Sequence, residues 1–328
     1  MRHWLLSLPF LLSACGDRSQ LALPRPNEPL LADASPNHDA ETLPDAYSCA
    51  APWLIFTLIT TTDAGAGTSE LYGLRSDGTG GHVLALPQAS LYPSVSPDDL
   101  SLLYANNDAS KLFAYRLLDH TTTTLATTGT VGHGAMSADG QTVVYGDGIA
   151  ILTIGVGGGS QRFLFPNPIS ASVTAGYPVF LGSTSTVLFA TSGALNSISL
   201  DGSGFRTLLT VDATNGPEFP NPALSPDSLE VAAVVRCASD SVPGLRVYSV
   251  ASLPQPCAHG QLLTTTTETL NYYDPAWGPT GLLAFSESRD IMVVDPRDGS
   301  VRNATTSVTT DKSAAVSPTW ASGCVDLP

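Results

Sequence analysis

The fold of this chain is decided by a short stretch, Pro93-Ser94-Val95-Ser96-Pro97-Asp98-Asp99, and by the runs that follow it. The runs 102–105 and 112–116 are apolar and contain Tyr and Phe, and a Thr-rich run follows at 122–126; both compositions favour β-strands. Pro fixes φ in the turn, and an Asp side chain accepts hydrogen bonds from the backbone just beyond it. We therefore interpret the stretch as a first strand ending in a tight turn, whose Asp residues are turn formers first.

The same unit recurs along the chain. Its copies begin at residues 93, 134, 178, 222, 275 and 318, which are 41, 44, 44, 53 and 43 residues apart. Such a period suits one four-stranded blade of a β-propeller. Residues 52–86 have the pattern of a blade without its opening strand, and residues 317–323 that of an opening strand without its blade. We predict an all-β fold, a six-bladed β-propeller closed by strands from both termini, over residues 49–328.

Composition agrees with this class and excludes some partners. The chain is 43% hydrophobic and 13% charged, and no long apolar run of helical period follows residue 50. Its formal net charge is −15. Because such a surface repels phosphate backbones, nucleic acid is not an expected partner.

The repeat resembles the TolB-like propellers, also called the PD40 or WD40-like β-propeller repeat. The resemblance rests on the pattern Pro-x-x-Ser-Pro-Asp, on six copies and on terminal closure, and it covers about residues 50–324. Two copies depart from the motif, at 182–184 and at 278–280. TolB has an additional N-terminal α/β domain, in whose place this chain has a polar segment. The resemblance implies ligand binding at the opening of the central channel, beside the start of each inner strand.

The residues just before the six repeat starts are expected to form a ring at this channel mouth. They are Tyr92, His133, Tyr177, Asn221, Asp274 and Ser317. Nearby Tyr273, with Glu218, Phe219 and Tyr272, makes the mouth aromatic and polar, a composition common at recognition surfaces. We predict ligand binding by Tyr92, His133, Tyr177, Asn221, Tyr273 and Asp274. The alternative is that the ring residues only cap the blades and hydrogen-bond one another.

The N-terminus is interpreted as an export signal. Residues 1–14 combine a basic start, a short apolar run and small residues, as in a secretory signal peptide. The ending Leu12-Ser13-Ala14-Cys15 resembles the bacterial lipobox, which implies cleavage before Cys15 and its acylation, and thereby a lipid bilayer as partner. Residues 15–48 are polar and proline-rich, as in a disordered tether. The expected location is the periplasmic or cell-surface side of a membrane, with the outer membrane favoured; the alternative is an ordinary secretory signal.

Four cysteines remain after Cys15, an even number that suits an oxidising compartment. If the domain is a closed ring, its ends meet, which makes a Cys49–Cys324 disulfide natural. Cys237 and Cys257 would then staple a long hairpin within one repeat. Zinc is the competing interpretation, but no Cys-x-x-Cys pair exists in the sequence.

No catalytic signature stands out. The nucleophile motif Gly-x-Ser-x-Gly is absent, and the predicted inner strands carry no carboxylate pair of the glycosidase kind. We expect no enzyme activity, no metal and no cofactor. The predicted function is a binding module for an envelope or periplasmic protein or peptide. The alternatives are a carbohydrate-binding or hydrolytic propeller that uses the same mouth, and a purely structural envelope lipoprotein.

Overall fold

The computed structural model describes residues 51–61, 67–88, 90–127, 130–165, 175–211, 221–265, 274–310, 313–322, 325 and 327–328. Within these residues, twenty-four strands form six antiparallel sheets of four strands each. The inner strands of neighbouring sheets contact one another in cyclic order, so that the sheets stand as blades around a channel. The structure thus confirms the predicted six-bladed β-propeller.

The first half of the ring is built as follows. Blade 1 holds β1 (Trp53–Thr61), β2 (Gly67–Arg75) and β3 (His82–Val83), together with the last strand of the chain, β24 (Ser313–Ala321). Blade 2 comprises β4 (Ser90–Val95), β5 (Ser101–Asn106), β6 (Lys111–Arg116) and β7 (Thr122–Thr127). Blade 3 comprises β8 (Gly134–Met136), β9 (Thr142–Gly146), β10 (Ile151–Gly155) and β11 (Arg162–Phe165).

The second half continues in the same way. Blade 4 comprises β12 (Ala175–Phe180), β13 (Thr186–Thr191), β14 (Ala194–Ser199) and β15 (Arg206–Thr210). Blade 5 comprises β16 (Pro222–Leu224), β17 (Glu230–Val235), β18 (Gly244–Ser249) and β19 (Gln261–Thr265), with two short 3-10 helices, Val250–Ser252 and Cys257–His259. Blade 6 comprises β20 (Ala276–Trp277), β21 (Leu283–Glu287), β22 (Asp290–Val294) and β23 (Val301–Asn303).

Closure of the ring uses strands from both termini, as predicted. β1 pairs with β2 on one side and with β24 on the other, in a register that runs from Trp53 opposite Ala321 to Thr60 opposite Ser313. The Trp53 indole donates a hydrogen bond to the carbonyl of Val325 at 2.9 Å. Because the β1–β24 ladder occupies what would otherwise be two open strand edges, the ring has no free inner edge at the seam.

The core lies between blades. Leu54 and Phe56 of β1 are fully buried against blade 6, where they pack on Ala284 and Val293. Equivalent apolar clusters fill the other interfaces, for example between blades 5 and 6 around Phe285. Each second strand therefore packs on its neighbours with both faces, which explains why these strands read as continuous apolar runs in the sequence.

The Ser-x-Asp motifs form tight turns at the ends of inner strands. The Ser96 hydroxyl donates to Asp98 Oδ1 at 2.5 Å, and the Leu100 amide donates to the same oxygen at 3.0 Å. Ser137 with Asp139 and Ser225 with Asp227 repeat this pattern. These carboxylates accept local bonds, which is the turn-forming role expected from the sequence.

One of the two expected disulfides lies in the described part of the chain. Cys237 and Cys257 are bonded and join the end of β17 to the 3-10 helix before β19, which staples blade 5. Cys49 and Cys324 both lie outside the described residues, so their pairing stays a prediction. Cys15, with the rest of residues 1–48, also lies outside them. No helix of the described part is long and apolar enough to cross a membrane.

Candidate functional site

The predicted ring residues lie at the starts of the inner strands, on the wall of the channel. Tyr92, Tyr177 and Ser317 adopt left-handed backbone conformations, with φ values of 56°, 55° and 52°. Each of the three lies where the register of its inner strand shifts by a bulge. A non-glycine residue in this region costs on the order of 1 kcal/mol, so the surrounding contacts must hold it there. The bulge adds one residue to the strand exactly where the ring is built.

Asp274 is the centre of the ring. Asn221 Nδ2 donates to its Oδ1 at 2.7 Å, and the Ser317 hydroxyl donates to its Oδ2 at 2.6 Å. His133 Nε2 lies 3.3 Å from the same Oδ2, in the geometry of an ion pair rather than of a linear hydrogen bond. The carboxylate is only 6% exposed. One buried acid therefore joins four blades, since its partners come from blades 1, 3 and 5.

The electrostatics of Asp274 follow from these contacts. Burial alone would raise the pKa of its carboxyl, because the charged form loses its hydration. The charge of His133 and the hydrogen bonds from His133, Ser317 and Asn221 outweigh burial and hold the pKa below its ordinary value. Asp274 is therefore ionised at neutral pH, and the fold supplies the solvation that water no longer gives.

The imidazole of His133 completes the other half of the ring. It lies between two tyrosine rings, with centroid distances of 4.5 Å to Tyr92 and 4.5 Å to Tyr177. His133 thus contacts the aromatic residues of blades 2 and 4 as well as Asp274 of blade 6. The structure brings together Tyr92, His133, Tyr177, Asn221, Asp274 and Ser317. Glu218, Phe219, Tyr272 and Tyr273 lie outside the described residues.

The order of the polar contacts bears on catalysis. A serine nucleophile needs an imidazole beside its hydroxyl, with the acid on the far side of the imidazole. Here the Ser317 hydroxyl donates directly to Asp274, and the acid stands between the serine and His133. These three residues therefore lack the contact order of a proton relay. Among the described residues, no three His, Cys, Asp or Glu side chains are grouped to hold a metal ion.

A cavity of about 920 Å³ extends along the inner strands from this ring to the Ser-x-Asp turns. All six blades contribute to its wall, and the ring residues His133, Tyr177, Asn221 and Asp274 line it at one end. Small side chains two positions after each ring residue keep the channel wide: Ser94, Ala135, Val179, Ala223, Ala276 and Thr319. At the other end the lining residues Ala138, Ser183 and Asp227 are exposed, so the cavity is accessible to solvent there.

Four residues of the lining were not predicted as site residues from the sequence: Asp99, Asp227, Trp277 and Trp320. The two tryptophans occupy the same repeat position, three residues after the ring residue, and the two acids belong to the turns. A comparison of repeat positions beyond the first residue would have found the tryptophans. The predicted mouth is thus one end of a longer lined channel.

No protein-family model matches the chain, and no curated protein matches its sequence. Solved structures do match. TolB from Acinetobacter baumannii superposes with a TM-score of 0.63 at 15% identity, over 82% of this chain and 66% of that chain. The chain has a TolB-like propeller fold. It spans about two thirds of the length of that TolB chain.

The TolB-like propeller fold is shared more widely. A chain of the nidogen/laminin complex matches with a TM-score of 0.59 at 12% identity, over 81% of this chain and 98% of that chain. Hydrazine synthase from Kuenenia stuttgartiensis matches with a TM-score of 0.61 at 11% identity, over 85% of this chain and 48% of that chain. Since these proteins include a protein complex and an enzyme, the fold alone does not select a function.

Proposed function

We propose that this chain is an envelope-anchored lipoprotein whose propeller binds an extended segment of a protein or peptide in its channel, without catalysing a reaction. The anchor in this proposal is acylated Cys15, with the propeller on the periplasmic or cell-surface side, at the outer membrane. The observation that carries the binding function is the cavity of about 920 Å³, which all six blades line. Its volume lies at the upper end of the range of roughly 300–1,000 Å³ that ligand sites occupy.

Two features favour binding over catalysis. The polar groups of the ring are engaged with one another, since both oxygens of Asp274 are held by neighbouring side chains. The wall is made of proline, small and apolar residues together with hydroxyl groups from all six blades. Such a surface suits contact along an extended chain. The TolB-like fold and the nidogen/laminin match are consistent with a protein partner.

Blocking the open end of the cavity should abolish binding. In the double variant Ala138→Trp/Ser183→Trp, two bulky side chains stand at exposed positions of the lining, where they do not disturb the core. We expect a partner that the full-length chain captures from envelope extract to be lost by this variant. The measurement is affinity capture with quantitative mass spectrometry.

The matched control carries Ser239→Trp/Ala258→Trp, which are also exposed but lie outside the cavity lining. It should retain the partner. Equal capture by both double variants, or no protein enriched by the unmodified chain, would refute binding through the channel.

The anchor is tested separately by Cys15→Ala. Each buried methylene of an acyl chain contributes about 0.8 kcal/mol, so loss of acylation should move the chain from the membrane fraction to the soluble fraction. Incorporation of labelled palmitate should disappear as well. The control Ser13→Ala keeps the lipobox pattern and should leave both properties unchanged. A Cys15→Ala chain that stays labelled and membrane-bound would contradict the anchor.

A further inference from the structure

The side chains that line the cavity carry charge of one sign. Its ionisable carboxyl groups are Asp99, Asp227 and Asp274, and its lining includes no Lys, Arg or Glu. The imidazole of His133 supplies at most one positive charge against these three. The lining is therefore negative whichever protonation state the imidazole adopts, and a cleft between low-dielectric walls concentrates such a field.

The carboxylates lie at the two ends of the cavity. Asp274 is at the ring, while Asp99 and Asp227 belong to the turns at the open end. The hydrogen bond from the Ser225 hydroxyl lowers the pKa of Asp227, so this group is charged at neutral pH. A ligand that enters from the open end meets negative charge first at Asp227 and last at Asp274.

Two buried polar groups of the lining have no hydrogen-bond partner among the described residues. Asn221 is 6% exposed, and its Oδ1 is unpartnered although its Nδ2 donates to Asp274. The indole Nε1 of Trp277 is likewise buried and unpartnered. A buried polar atom without a partner costs about 1–3 kcal/mol, so both atoms are primed to bond a ligand. Asn221 offers an acceptor beside the acid, and Trp277 offers a donor on the wall.

We propose, resting on the channel-binding function above, that the bound segment is basic, with a Lys or Arg side chain directed at Asn221 and Asp274. Ammonium and guanidinium groups only donate hydrogen bonds, which matches the acceptor pair Asn221 Oδ1 and Asp274 Oδ1 at the ring. The indole of Trp277 donates to a backbone carbonyl of the segment. Asp227 and Asp99 attract the segment at the open end. An acidic segment would meet three carboxylates and is rejected.

The test is selection from a phage-displayed library of short random peptides on the full-length chain, purified in mild detergent. The same library is panned in parallel on Ala138→Trp/Ser183→Trp, whose cavity is blocked. We expect Lys and Arg to be enriched about threefold over the input in peptides that bind only the open cavity.

The selected peptide with the highest affinity is then titrated against point variants by fluorescence anisotropy. Asp227→Asn should weaken it about three- to fivefold, and Asp274→Asn about tenfold. Trp277→Phe removes the indole donor while keeping an aromatic ring, and should weaken the peptide about threefold. The matched control is Asp139→Asn, because Asp139 sits in the same Ser-x-Asp turn but does not line the cavity. It should bind with unchanged affinity.

Three results would overturn this inference. Cavity-dependent peptides that are neutral or acidic would refute the charge preference while leaving channel binding intact. Basic peptides that bind Asp227→Asn, Asp274→Asn and the blocked variant equally would show attraction to the −15 chain as a whole rather than to the cavity. If no peptide depends on the open cavity, the inference fails, and the capture experiment with envelope extract still decides the proposed function on its own.

Discussion

A chain that ends at residue 312 should not fold cooperatively. It lacks β24, whose residues Ser313, Ala315, Val316 and Trp320 are buried and whose backbone pairs with β1. Without β24, the inner strands β4 and β20 lose their neighbour, and β1 becomes an open edge in the middle of the former ring. The stability of a whole domain is about 5–15 kcal/mol, and the loss of one inner strand out of six exceeds what this can absorb.

Urea unfolding followed by tryptophan fluorescence measures this effect, since Trp53 lies at the seam. The control is a chain that ends at Ser322, which keeps β24 and should still unfold in one sharp transition. A synthetic peptide of residues 313–322, added to the chain that ends at residue 312, should restore part of that transition. The idea would be wrong if the chain without β24 unfolded as sharply and at the same urea concentration as the full chain.

Asp274→Ala should lower the free energy of unfolding by about 3–5 kcal/mol, the typical result of removing one partner from a buried charged network. Asn221 Nδ2 and the Ser317 hydroxyl both lose their acceptor in this variant, and His133 loses the charge beside it. The control is Asp139→Ala, which removes an exposed turn carboxylate and should have a much smaller effect. Urea unfolding compares them, and equal losses would show that the ring network contributes nothing to stability.

The same residue predicts a dependence of stability on pH. The pKa of Asp274 is lower in the folded protein than its ordinary value of 3.8. Its contribution is therefore fully present above the unfolded-state pKa and is lost as the pH falls through the folded-state pKa. Below pH 4, the wild type should consequently lose stability more steeply than Asp274→Ala, which has no carboxyl to protonate. Parallel acid-dependence curves would contradict the assigned role of this carboxyl.

The repeat predicted the fold because each blade carries its own turn signal. Pro and Asp at fixed offsets act locally, so the turn at Asp98 could be inferred without knowing any neighbour. The missing opening strand before Trp53 and the surplus strand at Pro318 then required the closure seen between β1 and β24. Periodicity also placed the ring residues, since equivalent positions of a closed ring must face one axis.

The contacts within the ring could not be read from the repeat. Asn221, Asp274 and Ser317 hold equivalent positions, yet only the acid accepts bonds from three of the other blades. Which side chain becomes the centre depends on the relative reach of the six, and that is set by packing across blades. The left-handed backbone of Tyr92 and Tyr177 was equally hidden, because a residue before proline is ordinarily extended. The lining by Trp277 and Asp227 depends on the width of the channel.

The position of β1 also governs how the domain would bear a mechanical load. Any tension on the segment that precedes Trp53 enters the propeller through β1. This strand is held by nine residue pairs to β2 and by seven to β24, so it is clamped on both sides. A pull along its axis must shear both ladders at once, whereas an outermost strand would unzip one bond at a time. The domain is thus joined to its own leash through one of its most resistant strands, and a ligand tugging from the channel would strain the leash before the blades.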